Sequence, residues 1–166
     1  MPDNRPPDRP DGDPQTVVGQ PPRTPLVGVV VVTHGQLATE LVNAAEMIVG
    51  ELSGFVAVSI GWHDDVETAR EAIAAAIARV ARPAGVIVLT DMFGGTPSNL
   101  GLSLLEAGRV EVITGVNLPM LIKLAKAPEG RDVLALAHEM RDHGRAAIRV
   151  ASDLLRADSG GTPHEG

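Results

Sequence analysis

The chain has 166 residues, enough for one domain of ordinary size with its own core. Its net charge of -7, without a basic cluster, argues against nucleic-acid binding, and the absence of cysteine excludes disulfides, a thiolate nucleophile and a cysteine-bound metal. No apolar run is long enough to cross a membrane and no signal-peptide pattern opens the chain, so we expect a cytoplasmic protein without direct membrane insertion.

The two ends of the chain differ in composition from its middle. Residues 1–25 are rich in proline and aspartate with scarcely any apolar side chains, and residues 157–166 are similar. Such segments bury too little apolar surface to offset the entropy that is lost when they become ordered. We therefore predict one domain at residues 26–156 between two disordered segments.

Strand and helix patterns alternate between these ends. Continuous apolar runs are typical of strands covered on both faces, and they predict strands at 26–33, 55–60, 84–90 and 110–114. Apolar residues at helical spacing predict helices at 36–52, 64–81, 97–107, 119–126 and 132–155. The predicted fold class is therefore α/β, with an open, mainly parallel doubly wound sheet of order 2-1-3-4 and helices on both faces.

Two side chains with useful chemistry stand where the first and third strands end. The run "GVVVVTHG" leads into His34, and "LTDMFGGTPSN" places Asp91 directly after the third strand. In a 2-1-3-4 sheet these two strand ends border the crevice in which open α/β sheets bind ligands. A carboxylate that accepts from one ring nitrogen fixes the histidine tautomer and leaves the other nitrogen as a nucleophile. His34 and Asp91 are the predicted catalytic residues.

The residues after Asp91 predict a site for a compact anion. Gly94 and Gly95 permit close approach of a ligand to the backbone, Thr96 is a good N-cap, and a proline follows at the first helical position. The free N–H groups of the next turn, at residues 98–100, would then point toward the crevice. The predicted phosphate-binding residues are Gly35, Gly94, Gly95, Thr96, Ser98 and Asn99. A nucleotide is disfavoured because the Walker lysine and the GxGxxG spacing are missing.

Each of these features also has a structural explanation. Asp91 is compatible with a turn cap, and the glycines with an ordinary left-handed connection. In the loop "GWHDD" we expect exposed residues with Trp62 partly buried, near the mouth of the crevice. His138 and His143 are five positions apart on the last predicted helix and do not share a face, so no metal site is predicted, and no cofactor either.

Three stretches resemble the IIA component of the mannose-type bacterial phosphoenolpyruvate-dependent sugar phosphotransferase system. They are "VVVVTHGQLATELVNAAEMIVGE", "GVIVLTDMFGGTPSN" and "VEVITGVNLPML", in the family's order and spacing, and the likeness runs over about residues 27–155. The resemblance implies that His34 is phosphorylated on Nε2, that Asp91 is its hydrogen-bond partner and that Thr96 helps to bind the phosphate. Met92 departs from the family pattern, in which some members have a threonine.

The resemblance also implies partners. Members accept a phosphoryl group from phospho-HPr, pass it to a histidine of a IIB component and are typically homodimers. The segment "GVNLPML" resembles the loop that borders the site, where Asn117, Leu118 and Met120 would form the partner surface. Three alternatives stay open: a phosphotransfer module of a dihydroxyacetone kinase system, a regulatory module whose phosphorylation state selects its partner, and an anion-binding domain without transfer.

Overall fold

A computed structural model describes residues 27–127 and 131–153, in which parallel strands alternate with helices. The strands are Gly28–His34 (β1), Phe55–Ile60 (β2), Val86–Thr90 (β3) and Val110–Thr114 (β4). The helices are Leu37–Val49 (α1), Val66–Val80 (α2), Thr96–Ser103 (α3), Leu118–Leu124 (α4) and Val133–Ala146 (α5). The sheet order β2-β1-β3-β4, with all neighbours parallel, confirms the predicted fold class.

The core lies on both faces of this sheet because the side chains of each strand alternate between the faces. On one face, α1, α4 and α5 cover Val29, Val31, Ile87 and Leu89. On the other face, α2 and α3 cover alternate residues of the same strands, among them Val30, Val32 and Val88. Both faces of β1 and β3 are therefore buried, which explains why these strands read as continuous apolar runs.

The helices begin where the chain supplies acceptors for their free N–H groups. The side chains of Asp65, Asn117 and Asp132 cap α2, α4 and α5. Helix α1 is capped from the strand before it, since the buried Thr33 hydroxyl accepts from the N–H of Ala38 at 2.7 Å. The end of β1 and the start of α1 are thus joined by a hydrogen bond as well as by the chain.

Two predicted helices are shorter than expected. Helix α3 ends at Ser103 rather than at residue 107, and an antiparallel bridge between Glu106 and Val110 follows. Helix α5 ends at Ala146 rather than at 155, because Gly144 is its last buried residue and residues 148–153 are exposed within the described part of the chain. A second short helical segment begins at 151, and residues 154–155 lie outside the described chain. The segments predicted to be disordered, 1–25 and 157–166, also lie outside it.

Candidate functional site

The predicted pair meets at the carboxyl ends of two neighbouring strands. β1 ends at His34 and β3 ends at Thr90, so Asp91 emerges beside the histidine. The Asp91 Oδ2 atom lies 2.8 Å from His34 Nδ1 and also accepts the His34 backbone N–H at 3.0 Å. One carboxylate oxygen therefore holds both the ring and the main chain of His34.

The environment keeps Asp91 ionised. Partial burial alone would raise the pKa of its carboxyl group, but hydrogen bonds from the His34 ring and backbone, electrostatic attraction to the His34 ring and the N–H of Met92 outweigh that effect and hold the pKa below its ordinary value. The Met92 N–H donates to Oδ1 at 2.9 Å. An ionised carboxylate only accepts hydrogen bonds, so we infer that Nδ1 of a neutral His34 carries the proton and Nε2 holds the free lone pair.

The Nε2 side of the ring faces the start of α3. A Cβ atom placed on Gly95 would lie 2.8 Å from His34 Cε1 and 3.2 Å from Nε2, closer than side chains pack. Gly95 has φ -86°, an ordinary value, so the need for glycine here is space and not backbone conformation. The side chain of His34 remains 48% exposed, whereas that of Asp91 is 14% exposed. A reacting group can therefore reach the ring from solvent beside the helix terminus.

The start of α3 differs by one residue from the prediction. Gly95 is the N-cap and Thr96, which is exposed, is the first helical residue. The prediction that the Asn99 N–H is free was wrong, because it donates to the Gly95 carbonyl at 2.9 Å and so closes the first turn. Because Pro97 has no N–H, the N–H groups of this turn without an acceptor inside the helix are those of Thr96 and Ser98.

The other residues of the predicted anion site differ in how a ligand could reach them. Gly35 and Gly94 are exposed, with φ +55° and +85° and open space where a Cβ would stand. The Gly35 N–H already donates to the Ile60 carbonyl at 2.8 Å, so it is not available to an anion. Ser98 is fully buried, and its hydroxyl meets no hydrogen-bond partner among the described residues. Its hydroxyl therefore does not line the open crevice.

The loop predicted to form the partner surface is largely structural. Met120 is only 3% exposed and packs in the core, so its assignment to a surface was wrong. Asn117 caps α4 by accepting from the N–H of Met120, and its amide donates to the Gly144 carbonyl at 3.0 Å. Leu118 is half-buried against the same core. The side chain of Asn117 thus joins α4 to the last turn of α5.

Large exposed apolar side chains lie elsewhere at this end of the sheet. Trp62 is 95% exposed on the loop after β2, so the expectation of a partly buried tryptophan was wrong. Phe93 and Met92, on the loop after β3, are 74% and 54% exposed, and Leu37 at the start of α1 is 46% exposed. The prediction that the loop "GWHDD" is exposed near the mouth of the crevice was the sequence signal that pointed to Trp62.

Two searches of the described residues bear on other kinds of site. Among these residues, no group of three or more His, Cys, Asp or Glu side chains is arranged to hold a metal ion. Within the same part of the chain, every helix is too short or too polar to cross a membrane.

The comparisons with known proteins bear on the family and the fold. Residues 28–140 match the EIIA-man family model, described as the PTS system fructose IIA component. The mannose-specific EIIAB component of Escherichia coli (strain K12) is 34% identical over 134 residues, which cover 75% of this chain and 40% of that protein. The chain therefore spans well under half of the length of that relative.

Two further relatives are covered almost completely. The fructose-specific EIIA component of Bacillus subtilis (strain 168) is 28% identical over 131 residues, 78% of this chain and 90% of that protein. The mannose/sorbose-specific IIA subunit from Enterococcus faecalis superposes with a TM-score of 0.67 at 29% identity, covering 75% of this chain and 93% of the other. The match over residues 28–140, more than half of the chain, shows that the protein belongs to the EIIA-man family of phosphotransferase-system IIA components.

Proposed function

We propose that the protein is a phosphocarrier in which Nε2 of His34 accepts a phosphoryl group from phospho-HPr and passes it to a histidine of a IIB component. The observation that carries this proposal is the contact of 2.8 Å between His34 Nδ1 and an Asp91 carboxylate, with Nε2 turned toward the start of α3. The proposal extends to a cytoplasmic homodimer, as the family resemblance implies.

The chemistry uses each of these groups. The lone pair of Nε2 attacks the phosphorus atom of the donor's phosphohistidine, the donor's N–P bond breaks, and its electron pair returns to the donor ring. The His34 ring gains positive charge while the Nδ1 proton stays in place, and the Asp91 carboxylate stabilises that charge. The N–H groups and dipole at the start of α3 stabilise the charge on the transferring oxygens. Transfer to the acceptor is the same step in reverse.

The experiment follows a labelled phosphoryl group. With phosphoenolpyruvate, Enzyme I and HPr, the protein should gain an acid-labile, base-stable phosphate that maps to His34 and that His34→Ala loses. His138→Ala is the matched control, since it removes an exposed imidazole on α5 and should label normally. Label on another residue, or none, would overturn the proposal.

The identity of the acceptor separates the remaining alternatives. Rapid loss of the label to a purified IIB component supports the sugar-transport carrier. Transfer of the label only to a dihydroxyacetone kinase would identify a phosphotransfer module of that system. A label that stays on the protein with both acceptors would favour a regulatory module. No label from any donor would leave an anion-binding domain.

A further inference from the structure

Trp62 occupies an unusual position for the largest side chain of the protein. It is 95% exposed, although burial of a tryptophan is favourable. Its loop is ordered: the N–H of Gly61 donates to Asp64 Oδ2 at 2.6 Å, and the N–H of Asp64 donates back to the Gly61 carbonyl at 3.4 Å. An exposed tryptophan on a braced turn is typical of a contact residue in a protein interface.

The turn also lies next to the histidine. Ile60, the last residue of β2, pairs with His34, the last residue of β1, and Trp62 follows two positions later. Adjacent strands are about 4.8 Å apart, so a protein that covers His34 also reaches this turn. Any donor must cover it, because its own phosphohistidine has to approach Nε2 closely.

A groove opens at the free edge of the sheet, beside the turn that carries Trp62. It has a volume of about 330 Å³ and lies between β2 and the first turns of α2. Val58, Ile60 and Ala72 supply apolar lining, while His63, Asp64 and Asp65 stand along it. The groove therefore combines an apolar floor with carboxylates.

The charge of the groove is negative at neutral pH. The N–H and hydroxyl of Thr68 donate to the Asp65 carboxylate and hold its pKa below the ordinary value. Lysine and arginine bury an aliphatic stem along apolar surface and keep a cationic head beside acceptors, so their side chains suit this groove. The face of Trp62 adds a second site for a cation.

We propose that Trp62 and this groove form the docking site for the phosphoryl-donor protein, which places a lysine or arginine side chain in the groove. The inference rests on the proposed function. A donor fits better than an acceptor, because a surface that carries a dianionic phosphoryl group needs cationic side chains around it. The carboxylates of the docking site thus bind a cationic side chain of the donor while His34 accepts its phosphoryl group.

Two substitutions test the site, each with a matched control. Ala72→Leu fills the groove, and its control is Ala75→Leu on the same helix, exposed but outside the groove. Trp62→Ala removes the aromatic contact, and its control is Met47→Ala, which truncates a side chain that is 89% exposed on α1. The measurement is the rate of His34 phosphorylation against the concentration of phospho-HPr.

We expect both test variants to raise the half-saturating donor concentration by about tenfold or more, as truncation of interface hot spots does, with little change in the maximal rate. Both controls should behave as the wild type. Unchanged saturation in the two test variants, or an equal shift in the controls, would overturn the docking site.

A small phosphodonor separates this inference from the proposed function. Phosphoramidate needs no protein docking, so it should label His34 at the same rate in the wild type, Trp62→Ala and Ala72→Leu. A slower rate in the two variants would show damage to the active site and would overturn docking as the cause. Failure of phosphoramidate and phospho-HPr alike to label the wild type would overturn the proposed function itself.

Discussion

A glycine leaves room for a different neighbour at each end of the sheet, and the comparison separates core packing from the space beside the proposed reactive histidine. At the amino end, a Cβ on Gly28 would lie 2.2 Å from the backbone oxygen of Val80 in α2. At the carboxyl end, a Cβ on Gly95 would lie 2.8 Å from the His34 ring. Neither glycine has a positive φ, so in both cases the missing side chain is what matters.

The obstacle that a side chain would meet differs between the two ends. The atoms around Gly28 belong to helix backbone and the core, which cannot move without disturbing the packing of α2. The atoms around Gly95 belong to a half-exposed imidazole, which can turn away into solvent. A methyl group should therefore damage the fold at one end and the reaction at the other.

The largest effect is expected for Gly28→Ala. Overpacking against the carbonyl of Val80 should lower the free energy of unfolding by about 3 kcal/mol, measured by urea denaturation. Gly101→Ala is the matched control, because its Cβ would meet neighbours only at 3.5 Å or more and alanine favours the helix. Equal losses in the two variants would contradict this account of Gly28.

Gly95→Ala should slow the reaction strongly and change the stability little, the opposite of Gly28→Ala. The methyl group displaces the His34 ring from Asp91 and should slow phosphorylation by about 100-fold, as misplacement of a reacting group by about 1 Å does. The free energy of unfolding should change by less than about 1 kcal/mol, because the ring can swing outward. If Gly95→Ala is destabilised as much as Gly28→Ala and its folded form is phosphorylated normally, the proposed difference between the two ends of the sheet is wrong.

Asp91→Asn tests the hydrogen bonds that hold His34 at the carboxyl end of the sheet. The amide keeps the shape of the side chain but places an N–H₂ group where the carboxylate accepts donors from His34 and Met92. Loss of one charge-assisted hydrogen bond, about 1.5 kcal/mol, should slow phosphorylation by about tenfold. Phosphorylation by phospho-HPr at the wild-type rate would exclude an orienting role for Asp91.

The smallest effect is expected in how the free energy of unfolding falls at acid pH. Because the fold lowers the pKa of Asp91, its carboxylate stabilises the native state fully above the ordinary carboxyl pKa, and this contribution is lost as the pH falls through that value toward the lower folded one. Between neutral pH and about pH 3, the free energy of unfolding should therefore fall more steeply in the wild type than in Asp91→Asn. If the two plots of unfolding free energy against pH are parallel, the contact between His34 and Asp91 does not contribute to stability.

The parts of the site that the sequence predicted are those fixed by strand ends. His34 and Asp91 each follow a buried apolar run, and a parallel sheet brings such ends together once the strand order is right. The shortened α5 could not be predicted, because the apolar residues after Gly144 continue a helical pattern, and only the tertiary structure shows that Ile148 and Val150 are exposed among the described residues. Local patterns thus predicted that His34 and Asp91 meet, but not where the last helix ends.

The exposed and buried residues around the site were harder to predict. Met120 and Trp62 are both large and apolar, yet one lies in the core and the other is almost wholly exposed. The difference depends on which helix packs over each residue, which neither side chain reveals by itself. The structural role of Asn117 was also hidden in the sequence, because its amide donates to the Gly144 carbonyl, 27 positions away along the chain.

The hydroxyl of Thr33 has a consequence for motion at the site. Since it bonds the Ala38 N–H across the turn that carries His34, this turn cannot fray without breaking a buried bond. The amide proton of Ala38 should then exchange with deuterated solvent as slowly as those of β1, although it lies in the first turn of a helix. The backbone that carries the His34 imidazole is thereby held in place by a buried hydrogen bond.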